Sequence, residues 1–113
     1  MPETLNPMEV LKAISSVGAR THLEHRDAIM ASDELQALLR KVKLLVGIGV
    51  AAALQSSMCV LQWAMLARKA GVTDAEITEA ILVSRLMKAA TVNDTATEAL
   101  HWLKQNPVGA ETP

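Results

Sequence analysis

From Leu44 to Ala67 the chain carries no charged residue. A run of that length either crosses a bilayer, which takes about 20 apolar residues, or is folded away inside protein. Gln55, Ser56, Ser57 and Gln62 fall near its middle and much of the rest is Ala and Gly. No aromatic pair brackets its ends, as membrane interfaces favour. A pair of helices buried inside an assembly accounts for this composition better than a membrane span, so no membrane partner is expected.

The apolar inventory points the same way. Half the residues are hydrophobic, which excludes a disordered chain, yet Phe and Tyr are absent and the only aromatics are Trp63 and Trp102. Leu, Val, Ile, Met and Ala must build the core. Such side chains let helices approach closely, but aromatics contribute the most burial per residue. The 113 residues suffice for one domain with a shallow core, and a small Ala-rich domain commonly completes its burial against other copies of itself. The reading is therefore a single domain over residues 1–113, self-associated. The formal net charge is −1 with both signs interspersed, so no basic stripe exists to neutralise phosphates and nucleic acid is not an expected partner. One cysteine cannot close an intrachain disulfide, which fits a reducing, cytoplasmic location. Met1 to Met8 lacks the basic-then-apolar layout of a signal peptide.

The local signals are helical throughout. Asn6-Pro7 with Glu9 reads as an N-cap, a first-turn proline and a carboxylate near a helix start. Val10, Leu11, Ile14 and Val17 follow at helical spacing, and Gly18 is expected to end the run. Residues 22–30 form a weaker helical candidate. Ser32 is expected to cap a segment with Asp33 and Glu34 in its first turn and Leu35, Leu38 and Leu39 on its apolar face. The stretch 41–54 holds β-branched Val42, Val46, Ile48 and Val50, so propensity alone permits a strand. Its length and the run Ala51-Ala52-Ala53 favour a buried helix, in which Gly47 and Gly49 allow a close crossing. A helix over about 57–70 should stop at Gly71. Thr73 with Glu76 makes a capping box, opening a helix with Ile77, Ala80, Ile81, Ser84 and Met87 in one stripe. Asn93 or Asp94 is expected to start a last helix with Ala96, Leu100 and Leu103 inward, and the tail over about 107–113 to be mobile.

The order of these pieces carries a resemblance. Leu44 to Leu54, then Ser56-Ser57-Met58-Cys59, Val60 to Ala70, Gly71-Val72-Thr73 and Asp74-Ala75-Glu76-Ile77 resemble the carboxymuconolactone decarboxylase and alkylhydroperoxidase-D superfamily, most closely over about 41–90. The resemblance implies an all-α fold of about five to six helices, assembled as a homotrimer or homohexamer. It also implies a functional position at Cys59, the second cysteine of the Cys-x-x-Cys pair of peroxidase-type relatives. Ser56 occupies the first cysteine's place and Trp63 the place of a histidine four residues after the second. The relatives' proton-relay glutamate aligns with Lys43 or Leu44. Decarboxylase-type relatives lack the cysteine pair but keep that histidine, so the chain departs from both catalytic patterns.

Cys59 and Ser56 are the candidate reacting residues. In the first turn of a helix beginning near Ser56, backbone N–H groups and the helix dipole would favour a thiolate; the bland alternative is an inert buried thiol. Ser56 lacks the base a serine nucleophile needs and reads first as an N-cap. Trp63, Gln62 and Met58 are candidate pocket-lining residues, with Trp63 otherwise packing a core or interface. His22 and His25 are spaced to share a helix face, but two ligands do not make a metal site, and no metal or cofactor is expected. The resulting reading is a one-cysteine thiol peroxidase or oxidoreductase served by an external thiol. Its alternative is a catalytically silent relative that binds a small molecule or acts as an oligomeric scaffold.

Overall fold

Asn6 begins the described chain as predicted. Its side-chain oxygen accepts from the N–H groups of Met8 and Glu9 at 3.0 and 3.3 Å, and Pro7 opens helix α1, Pro7–Ile14. The computed structural model describes residues 6–109; the end of the expected tail, 110–113, lies outside them. Four more helices follow: α2 Ser16–Met30, α3 Arg40–Ala53, α4 Ser57–Lys69 and α5 Asp74–Gln105. Among the described residues there is no strand, so 41–54 takes the helical alternative. No helix among them is long and apolar enough to cross a membrane.

Two compact units divide the chain between Lys43 and Leu44. In the first, the expected stop at Gly18 is replaced by a break at Ser15. Its backbone is extended and its N–H still donates to Leu11 O at 2.7 Å, closing α1. Its hydroxyl accepts from Gly18 N–H at 3.0 Å, opening α2. One serine thus serves both helix ends, and Gly18 continues α2. A Cβ on Gly18 would lie 3.3 Å from Leu11 Cδ1, so its bareness admits α1 against α2.

The helix expected after Ser32 does not form. Ser32 Oγ accepts from Glu34 N–H at 3.0 Å and Ser32 O accepts from Gln36 Nε2 at 2.6 Å, local bonds that compete with helix formation. Lys43 then holds this segment, its ammonium donating to the carbonyls of Ile29 and Leu35. The first of these belongs to the last turn of α2, where carbonyls have no partner within the helix.

In the second unit Leu44, Ile48, Ala67 and Val72 are buried, with Ser84 nearly so. Two tight turns connect its helices by one mechanism. After α4, Gly71 adopts φ +86°, and Val72 N–H reaches back to Ala67 O at 2.9 Å while Gly71 N–H donates to Arg68 O. This left-handed cap pairs the last carbonyls of the helix and drops Val72 into the core. After α3 the same pattern recurs, Ser56 N–H donating to Ala51 O and Gln55 N–H to Ala52 O. Here Gln55 takes the left-handed position, at φ +62°, where a side chain costs about 1–2 kcal/mol. Thr73 and Glu76 then form the expected capping box, each side chain accepting from the other's backbone N–H.

The boundary expected at Asn93 or Asp94 is absent, and α5 runs unbroken for 32 residues, about 48 Å at 1.5 Å per residue. No Gly or Pro interrupts it. The hydroxyls of Thr91, Thr95 and Thr97 donate to carbonyls of their own helix, so none competes to cap a new one. Leu100 and Leu103, expected inward, are exposed.

The two left-handed caps give opposite mutational signs. Gln55→Gly should stabilise the fold by about 1 kcal/mol and Gly71→Ala should destabilise it by a similar amount, both read from urea midpoints at unchanged m-value.

Candidate functional site

The left-handed Gln55 turns the chain so that Ser56 stands at the N-cap of α4 and Ser57, Met58 and Cys59 make its first turn. Ser56 makes no side-chain capping bond there; its backbone alone engages, the carbonyl accepting from Val60 N–H at 3.0 Å and the N–H donating to Ala51 O. The positive end of a 13-residue helix is therefore left without an acceptor from its N-cap side chain. Cys59 is exposed and Met58 half-buried, so the inert-thiol alternative loses its premise of burial in the single chain. No hydrogen bond joins Ser56 to Cys59 among the described residues.

One turn on, Trp63 lies against α3. A Cβ on Gly47 would fall 2.3 Å from Trp63 Cζ3 and 2.5 Å from its Cε3, closer than any real contact, so the six-membered ring rests directly on the Gly47 backbone. The space beside α4 where the resemblance sets a histidine is filled by indole. The two residues aligned with the relay glutamate are also spoken for. Leu44 is 1% exposed, and Lys43 bonds two carbonyls. No carboxylate stands at either position. Gln62, exposed on α4, adds a polar amide without acid–base capacity.

Two surface grooves of about 400 Å³ each lie on this unit. One is almost wholly apolar, bordered by Val46, Gly49 and Val50 of α3 and by Ala80, Val83 and Met87 of α5. The other runs along α4 and α5 past Met65, Ile77 and Arg68. Neither is lined by Cys59, Met58, Gln62 or Trp63. Arg68 and Asp74 form a bidentate pair, at 3.1 and 2.7 Å across the turn from α4 to α5. That hydrogen bond and the guanidinium charge hold the Asp74 carboxyl below its ordinary range. Any stability it adds is present above the usual carboxylate pKa and lost as pH falls through the lowered one; exposure to solvent keeps it small. Their six-residue separation across a glycine turn is a signal the sequence does contain. His22 and His25 remain exposed on α2, and no group of three His, Cys, Asp or Glu among the described residues could hold a metal ion.

Among the described residues, five helices, with a cysteine at the head of the fourth and a capping box at the head of the fifth, make an all-helical domain. The Carboxymuconolactone decarboxylase family pattern matches residues 19–105, and the chain belongs to that family. A crystal structure of a protein from Methanobacterium thermoautotrophicum is similar, with a TM-score of 0.68 and 26% sequence identity over 82% of this chain and 94% of that one. No curated protein matches the sequence.

The seating of Trp63 on Gly47 yields a coupled pair. Gly47→Ala should destabilise the fold by about 1–3 kcal/mol through overpacking. In the Trp63→Ala background the same change should cost much less, a non-additivity read from a double-mutant cycle. Equal costs in both backgrounds would place the strain elsewhere.

Proposed function

We propose that the protein is a one-cysteine thiol oxidoreductase of its family, with Cys59 as the reacting group. The observation that carries this reading is the exposed Cys59 in the first turn of α4, at a helix end where the N-cap Ser56 makes no side-chain bond. Backbone N–H groups and the dipole there favour a negative charge. The thiolate attacks the terminal oxygen of a hydroperoxide and the O–O bond breaks. The sulfur is oxidised by two electrons to a sulfenic acid, and the departing alkoxide takes its proton from water. A thiol from solution then condenses with the sulfenic acid, releasing water and leaving a mixed disulfide. A second thiol attacks it, restoring Cys59 and departing as the oxidised disulfide. This route needs an external thiol, since no second cysteine exists, and suits the cytoplasm. A positioned proton donor is worth about 10²–10⁴-fold, and Trp63 supplies none, so turnover should be slow.

The indole seated on Gly47 and the buried Leu44 favour a second reading. In it the chain has exchanged its acid–base residues for packing and serves as a binding or scaffold protein. Native-state alkylation separates the two. As a reactive thiol, Cys59 should be modified by iodoacetamide at pH 7 several-fold faster in the folded protein than in urea, and a dimedone-type probe should trap its sulfenic acid after peroxide treatment. Cys59→Ser should abolish both signals with the helical spectrum intact. A thiol that reacts only after unfolding would leave the scaffold reading in place.

Self-association, as a homotrimer or homohexamer, is part of the same proposal. Its support is the large apolar side chains left in solvent on the single chain, among them Ile14, Leu39, Leu54, Leu86 and Trp102, more than a soluble monomer ordinarily exposes.

A further inference from the structure

Helix α5 carries a second apolar stripe on the side away from its packed face. In its first half, Ile77, Ala80, Ile81 and Ser84 are the sheltered positions, and Gly49 brings α3 to within 3.5 Å of Ala80 O, measured from the position of an added Cβ. At about 100° per residue that face continues through Lys88, Thr91, Thr95 and Glu98, which are polar and exposed. Trp102 falls on that face too, but the second apolar stripe lies on the other side. Leu82, Leu86, Ala89, Asn93, Ala96, Leu100 and Leu103 alternate at spacings of four and three. That is the spacing at which one helix meets another at a small crossing angle. Leu82, Leu86, Leu100 and Leu103 are all exposed. Turned away from the helix's own packed face, this seam is presented outward for about 32 Å, at 1.5 Å per residue.

Two features identify what covers it. Read in either direction, the seam is Leu, Leu, Ala, Asn, Ala, Leu, Leu. A two-fold interface requires one patch to complement itself, and an antiparallel pair meeting near Asn93 satisfies this. The Leu82–Leu86 end of one helix lies along the Leu100–Leu103 end of the other, with small alanines at the waist to let the backbones close. The polar groups also tolerate covering. Beside the seam, Thr97 already donates its hydroxyl to Asn93 O at 2.9 Å, so burial strands no donor there. Asn93 alone brings an unpaired amide, and near the axis its partner is the same amide from the second copy. A single Asn within an apolar seam fixes register.

We infer that residues 82–103 of α5 pair antiparallel with the same segment of a second copy of this chain, about a two-fold axis near Asn93. The inference rests on the self-association reading above and not on the chemistry of Cys59. In a hexamer it would supply the two-fold contact that three-fold contacts alone do not.

Sedimentation measures the first part. The wild-type chain should have the mass of a dimer or a multiple of one. Leu86→Asp and Leu100→Asp, at positions exposed in the single chain, should at least halve it with helix content unchanged. Thr95→Asp, on the polar face, should leave it as it is. A monomeric wild type would overturn both the inference and self-association. An oligomeric wild type whose mass Leu100→Asp does not lower would overturn the inference alone. Orientation is read by disulfide trapping in the Cys59→Ser background. Chains carrying L86C mixed with chains carrying L100C should cross-link to each other. Each variant cross-linking to itself instead would mean parallel pairing and would reject the antiparallel arrangement.

Discussion

The indole of Trp63 against the bare backbone of Gly47 is the contact on which the second unit depends. With only two aromatic residues, the chain has few ways to fill the space between helices, and it spends one of them here. The choice is exclusive in a geometric sense. A residue at 47 with any side chain displaces the ring, and a smaller residue at 63 leaves a void against a helix that carries nothing to fill it. The position therefore cannot drift one residue at a time between packing and acid–base chemistry, because each step passes through a clash or a hole. This makes the indole at 63 a structural commitment. Whatever Cys59 does, it does without a neighbour on its own helix face that can exchange a proton.

Features set by a few adjacent residues were legible in the sequence. The Asn6-Pro7 start, the Gly71 stop and the Thr73–Glu76 capping box each follow from bonds within four or five residues, and each stands where the pattern placed it. Order and spacing over 41–90 were enough to reach the family, which matches over 19–105. The exposure of Cys59 was not legible, since Met58, Val60 and Leu61 around it read as core. Nor was the left-handed Gln55 that precedes α4, a conformation that Gly would have announced and Gln conceals.

Other misreadings share one cause, a choice between two bonds of similar strength. Ser32 had every feature of an N-cap and its hydroxyl does accept from the N–H two residues on, yet its carbonyl takes Gln36 Nε2 instead of a helical N–H, and Lys43 from the following helix draws on Leu35 O. Asn93 and Asp94 resembled a helix start because Asn and Asp cap helices well. A cap at a helix start and the same residue facing solvent in mid-helix look alike in sequence. Only the absence of Gly and Pro across 74–105 distinguishes them, and it favours continuity.

The connections of the second unit bear on how quickly it can form. Leu54 to Ser56 joins α3 to α4, and Ala70 to Thr73 joins α4 to α5, so neighbours in space are neighbours in sequence. Chains dominated by such local contacts fold on microsecond to millisecond timescales, because little loop entropy is lost before contacts form. Closing these two turns asks for no distant partner and no isomerising proline, since none lies between Pro7 and Pro107. Collapse of the helices is then fast and independent of protein concentration, and any slow, concentration-dependent phase in refolding belongs to the meeting of separate chains.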